Sequence, residues 1–128
     1  MCVSSILITW ITLSRLELNH LIVWPAKHVI KENLPPCFKK FYPHVRCIIA
    51  CTEVFIETPS SHDTQAHCWS EYKHHCTLKY LVAITPNGMF SYVSPCYGGR
   101  ASDKVILNNC AFVSWLEPND QVMADMGV

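Results

Sequence analysis

Apolar residues recur at helical spacing through the opening of the chain. Ile6, Leu7, Trp10, Ile11, Leu18, Leu21 and Ile22, with Ser14 on the same stripe, predict one helix or two, because positions three and four apart share a helix face. Pro25 breaks the run. A short second helix fits Ala26 to Asn33, and the pair Pro35 and Pro36 ends it, since proline has no N–H to donate and cannot continue a helix. From there to Pro43 the pattern reads as a loop. Val45 to Ile49 is an apolar run with β-branched residues, which suits a strand buried on both faces of a sheet.

Thr58 to Thr64 reads as a polar loop around Pro59, Ser60, Ser61 and Asp63. Lys79 to Thr85 and Met89 to Ser94 are strand-like, and Pro86, Asn87 and Gly88 between them predict a hairpin turn. Proline presets φ there, and Asn and Gly tolerate positive φ. Gly98 and Gly99 open a loop. Ser102 then stands where it can cap a helix whose apolar positions Val105, Ile106, Phe112, Val113 and Leu116 fall on one face. Pro118 to Asp120 ends that helix, and Gln121 to Ala124 begins a last short strand. The order is helices, strand, hairpin, helix, strand, with no internal repeat.

With 128 residues, half of them apolar, the chain can build one domain with a core of its own. Ten basic residues balance ten acidic ones, so no global positive field draws it to DNA or to an anionic membrane, and any nucleic-acid contact must use a local patch. Eight cysteines would suggest a disulfide framework only behind a secretory signal. Val3 to Leu13 is apolar enough for one, but no basic stretch precedes it, and Arg15 and Glu17 interrupt the chain before a clear small-residue cleavage site. It is also short of the ~20 residues a membrane span needs. It therefore reads as a buried or partner-seeking helix, and the cysteines read as reduced, small core residues. A nuclear or cytoplasmic chain, neither secreted nor membrane-bound, is the expectation.

Candidate chemistry rests on acids at the ends of buried strands, where neighbouring carboxylates can hold Mg²⁺ or Mn²⁺ for phosphoryl transfer. Asp125 has that place, although aspartates also end many strands as turn formers. A zinc site from His67, Cys68, His74, His75 and Cys76 has the right ligand types without the paired short spacing such sites use. Lys73, Lys79, Arg100 and Lys104 could meet phosphates, Arg100 first among them, and Trp69 and Tyr72 could stack on bases or simply pack.

The stretches CTEVFIE, WSEYKHH, TLKYLVAITPNG, YVSPCYGGRASDK and VMADMG, in this order and spacing from about Trp24 onward, resemble the catalytic domain of Harbinger-type transposases, the DDE superfamily endonucleases. The resemblance implies an α/β fold: an incomplete RNase H-like mixed sheet (strand, hairpin, helix, strand) over residues 45–128, preceded by a helical lead-in and loop over residues 1–44. It also implies two divalent metal ions, Mg²⁺ or Mn²⁺, held by Asp, Asp and Glu, with DNA as the partner. The family's second acid falls on Asp125. Its first, the residue directly before CTE, falls on Ala50, which has no oxygen to offer, and its third would lie beyond Val128. The upstream DNA-binding helices of the family are missing or reduced to the opening helical segment.

Glu53 could replace the lost aspartate only if the strand lost its period of two, Glu57 lies further along, and Asp103 suits the start of a helix. The resemblance and Ala50 together predict a DDE endonuclease domain that no longer cleaves DNA. The alternatives are a non-catalytic DNA- or protein-binding module, self-associating through an uncovered sheet, and a relic without a biochemical role. The metal reading requires residues 50 and 125 on neighbouring strand ends.

Overall fold

The computed structural model describes residues 3–124. Helix α1 (Val3–Leu18) runs into a 3₁₀ turn at Asn19–Leu21, and every described apolar side chain on it is exposed, Leu16 by 72%. It is an apolar helix without a packing partner in the described fold, so the buried alternative for this segment is set aside.

Packing begins just after it. Trp24 meets Phe112 and Trp115 edge-on at centroid distances of 5.9 and 5.8 Å, which ties the lead-in to the core. Helix α2 (Lys27–Glu32) comes next and buries Ile30. Helix α3 (Pro36–Phe41) then occupies what the prolines suggested was a loop. The correction has a simple cause: Pro36 sits in the first turn, where its missing N–H has no helical partner to lose and its fixed φ is already helical.

Strand β1 (Val45–Phe55) is the spine. After helix α4 (His62–Cys68), whose first turn lies in the loop expected over Thr58–Thr64, come β2 (Trp69–Ser70), β3 (His75–Ile84), β4 (Phe90–Val93) and β5 (Tyr97–Gly98). Helix α5 (Asp103–Asn109), helix α6 (Phe112–Trp115) and strand β6 (Gln121–Ala124) complete the described chain. The single helix expected over 103–116 is therefore two, broken at Cys110 and Ala111, and Tyr97–Gly98 is strand where the glycines suggested loop.

β1 runs antiparallel to β3, with Ala50 opposite Val82, and parallel to β6. β4 and β5 pair with the other edge of β3. A three-stranded antiparallel unit, a helical crossover and a strand parallel to β1 make this mixed sheet a partial RNase H-like fold.

Alternation along β1 and β3 decides the rest. Cys47 and Ile49 with Leu81 and Ala83 point to one face, where Ile106 of α5 and Phe112 of α6 close the core. Ser102 caps α5 as expected, its Oγ accepting from Val105 N–H at 3.2 Å. The turn between β3 and β4 also forms as expected, with Gly88 at φ +92°. No described helix is long and apolar enough to cross a membrane.

Candidate functional site

The other face of the sheet carries Ile48, Ala50 and Thr52 of β1 beside Tyr80, Val82 and Ile84 of β3, and no described helix covers it. With Phe90 and Val93 of β4 and Ile22 at its edge, it forms an open groove of about 760 Å³. None of the residues lining it is charged. Ala50 is exposed on the floor of this groove.

β6 reaches the same place from the other side. Ile48 pairs with Met123 and Ile49 with Ala124 in parallel register. Ala124, the last described residue, thus lies beside the residue that precedes Ala50. Asp125, the sequence's candidate catalytic and metal-binding acid, lies outside the described residues.

The acids weighed as substitutes are engaged elsewhere. Glu53 keeps the strand's alternation, three residues past Ala50, and lies on the opposite face, where its Oε1 accepts from Thr77 Oγ1 at 3.0 Å. Asp103 opens α5 and pairs with Lys79 Nζ at 3.4 Å, and the same ammonium donates to Ala101 O at 3.1 Å. Glu57 is exposed in the loop after β1. Burial, and then the Asp103 carboxylate beside it, push the Cys51 thiol up to about 11, so it stays protonated and unreactive at neutral pH. Burial, helped by the Asp120 charge, drives Cys47 to about 12 against the opposing effect of Arg46.

The zinc candidates do not converge. His67 Nδ1 lies 2.7 Å from Asp63 O, His75 Nδ1 lies 2.8 Å from Cys76 O, and Cys68 and Cys76 are buried. Among the described residues no three His, Cys, Asp or Glu side chains come together as a metal cage. The divalent ion that the resemblance implies finds no fit among them either, because the groove around Ala50 offers no carboxylate.

Two glycines position the basic candidates. A Cβ on Gly98 would lie 2.2 Å from His67 O, and one on Gly99 would lie 2.0 Å from Thr77 Oγ1 and 2.7 Å from Cys68 O. Only glycine lets β5 pass this close to the end of α4. Arg100 comes at once after them, its N–H donating to His67 O at 3.2 Å, and its side chain is exposed. Trp69, Tyr72 and Lys73 belong to β2 and the β2–β3 turn that follow α4; Lys73 Nζ lies 5.0 Å above the Tyr72 ring, which is 80% exposed. β5 stands on the edge of β3 away from β6, so Arg100, just after it, is not a neighbour of that strand end. Lys104 is exposed in the first turn of α5.

No sequence signal pointed to the groove, because its residues alternate with core residues on the same strands and carry no distinctive chemistry. No curated protein and no solved structure matches the chain. A family model described as DDE superfamily endonuclease matches residues 49–127, more than half of the sequence, starting one residue before Ala50 and spanning the hairpin, the crossover and β6. On that match, and on a sheet of the order the family's resemblance implies, the chain belongs to the DDE superfamily endonucleases.

Proposed function

We propose that this chain is a DDE endonuclease domain that has lost metal-dependent DNA strand cleavage, keeping the sheet of a nuclease without its first metal ligand. One observation carries the reading: Ala50, the residue directly before CTE, is a methyl group on an uncharged groove floor at the level where β6 ends. Without a carboxylate at position 50 the charge of two nearby cations is under-compensated, and the clamp that stabilises attacking and leaving oxygens does not assemble.

The test is incubation of the purified chain with supercoiled plasmid and Mg²⁺ or Mn²⁺. No nicking above a metal-free control is expected. Metal-dependent nicking that Asp125→Ala abolishes would overturn the reading.

DNA remains the partner that the family favours, and the exposed Arg100, with Lys73 over the exposed Tyr72 ring, supports contact with backbone and bases. A second reading has its own observation. The groove around Ala50 is apolar and uncharged, which suits a protein surface better than a phosphate backbone. Salt-sensitive DNA binding lost in Arg100→Ala would favour the first, and concentration-dependent self-association lost in Val82→Asp the second.

A further inference from the structure

At the opposite end of β1 the pairing with β6 is irregular. Val45 pairs with Gln121 and Cys47 with Val122, so Arg46 is the extra residue of a β-bulge. Strict alternation would send it to the open face with Ile48 and Ala50. Instead its guanidinium lies 5.1 Å above the ring of Trp24, which also meets the buried Phe112, and Nη2 donates to Pro25 O at 2.8 Å. Arg46 is 3% exposed, and its Nε and Nη1 have no hydrogen-bond partner among the described residues. A buried, permanently charged group with unused donors is costly unless something accepts from them.

Beside it is a cavity of about 140 Å³, lined by Arg46 together with Lys27, Lys31, His44, Asn119 and Asp120. Lys27 is already held, by Asp120 at 3.0 Å and Glu117 at 3.3 Å, and Asp120 also accepts from Glu117 N–H at 2.8 Å. Asp120 is the one carboxylate in the lining; it feels the Arg46 charge but makes no ion pair with it. Lys31, exposed and in no ion pair among the described residues, and Arg46 leave the cavity with excess positive charge. The cavity is well below the ~300–1,000 Å³ of small-molecule sites, so it takes a single group rather than a whole molecule.

We infer that this bulge pocket binds a phosphate group, with Arg46 and Lys31 as its donors. A planar guanidinium fork beside an ammonium is the donor pair that recognises a tetrahedral oxyanion. The pocket lies four residues along β1 from Ala50, ~13 Å at ~3.3 Å per residue, and does not depend on the nuclease reading. The group can come as free phosphate or at the end of a nucleic-acid strand, and the two sources are separable.

The experiment follows the Arg46 Nε–H signal of the ¹⁵N-labelled chain by NMR during titration with inorganic phosphate, with sodium chloride of matched ionic strength as control. A saturable shift with phosphate and none with chloride is expected, and Lys31→Gln should weaken it about two- to fivefold, the effect of one exposed charge. Arg46→Met, read by the remaining amide shifts, should abolish it. Should that variant fail to fold, Lys31→Gln decides alone. In the second arm a 5′-phosphorylated thymidine dinucleotide that binds more tightly than phosphate, while its unphosphorylated form does not bind, identifies a strand end as the source; equal binding identifies the free ion. Identical responses to phosphate and chloride, or a Lys31→Gln variant that binds as the native chain does, would overturn the inference.

Discussion

Ile49 and Ala124 are partners in the parallel pairing of β1 with β6, and each is followed by a position that the proposed reading assigns to the metal site: Ala50 after one, Asp125 after the other. Ala50→Asp therefore sets a carboxylate on the groove floor in place of a methyl. Hard divalent cations gain affinity with each added carboxylate. Mn²⁺ titrated calorimetrically should bind Ala50→Asp at least about tenfold more tightly than the native chain, a difference of about 1.4 kcal/mol. Asp125→Ala in that background should remove the gain, and equal affinities in all three proteins would detach Ala50 from the metal site.

The glycines before Arg100 give a sharper steric expectation. A methyl at Gly98 meets the His67 carbonyl, which is backbone and cannot rotate away, and one at Gly99 meets both Thr77 Oγ1 and the Cys68 carbonyl. Overpacking of this kind costs roughly 1–3 kcal/mol or more. Gly98→Ala and Gly99→Ala should each lower the urea midpoint by a corresponding amount, whereas Asn87→Ala, an exposed residue in the β3–β4 turn, should cost less. A Gly98→Ala chain as stable as the native one would show that β5 can move off α4 freely.

How much of the fold the sequence discloses depends on the range of the interactions involved. The β3–β4 turn and the Ser102 cap were legible because Gly88 and Ser102 act on backbone groups within three or four residues of themselves. Pro35 and Pro36 are ambiguous, since proline both ends one helix and begins the next, and α3 buries no residue whose apolar spacing would have marked it. The outward-facing α1 shows the same limit, because its apolar period is compatible with a core helix although nothing described packs on it. At the site, Ala50 was found through its motif, but the groove around it depends on the β1–β3 register. The bulge that carries Arg46 inward arises from pairing with a strand far along the chain, Val45 with Gln121 at its near end, and no local pattern encodes it.

Phe112 and Ile106 join the helices to the sheet, with 1% and 0% of their surfaces exposed. Phe112 also contacts Trp24 and Tyr92 at centroid distances of 5.9 and 5.7 Å, so it links the lead-in, β4 and α6. Phe112→Ala should cost about 3–5 kcal/mol and Ile106→Ala about 2–5 kcal/mol by chemical denaturation. Trp24 fluorescence should shift to the red in Phe112→Ala even without denaturant, because its ring loses an edge contact. An unchanged spectrum would mean that the lead-in does not rely on that contact.

The Lys27–Asp120 pair sets an expected pH dependence. Burial alone would raise the Asp120 carboxyl, but the Glu117 N–H, Lys27 and Arg46 outweigh it and hold the group below its ordinary value of 3.8. Its carboxyl is therefore more acidic folded than unfolded. The stability it contributes is fully present above the unfolded value and is lost as pH falls through the folded one. Lys27 is shifted the other way, raised chiefly by its hydrogen bond to Asp120, so its contribution holds below 10.5 and fades only as pH rises beyond that. Between these limits the pair should leave the melting temperature nearly flat. Asp120→Asn should lower it at neutral pH and lessen its fall below pH ~4, the ordinary aspartate range. A variant whose melting temperature falls in acid as steeply as that of the native chain would assign the acid sensitivity to other carboxylates.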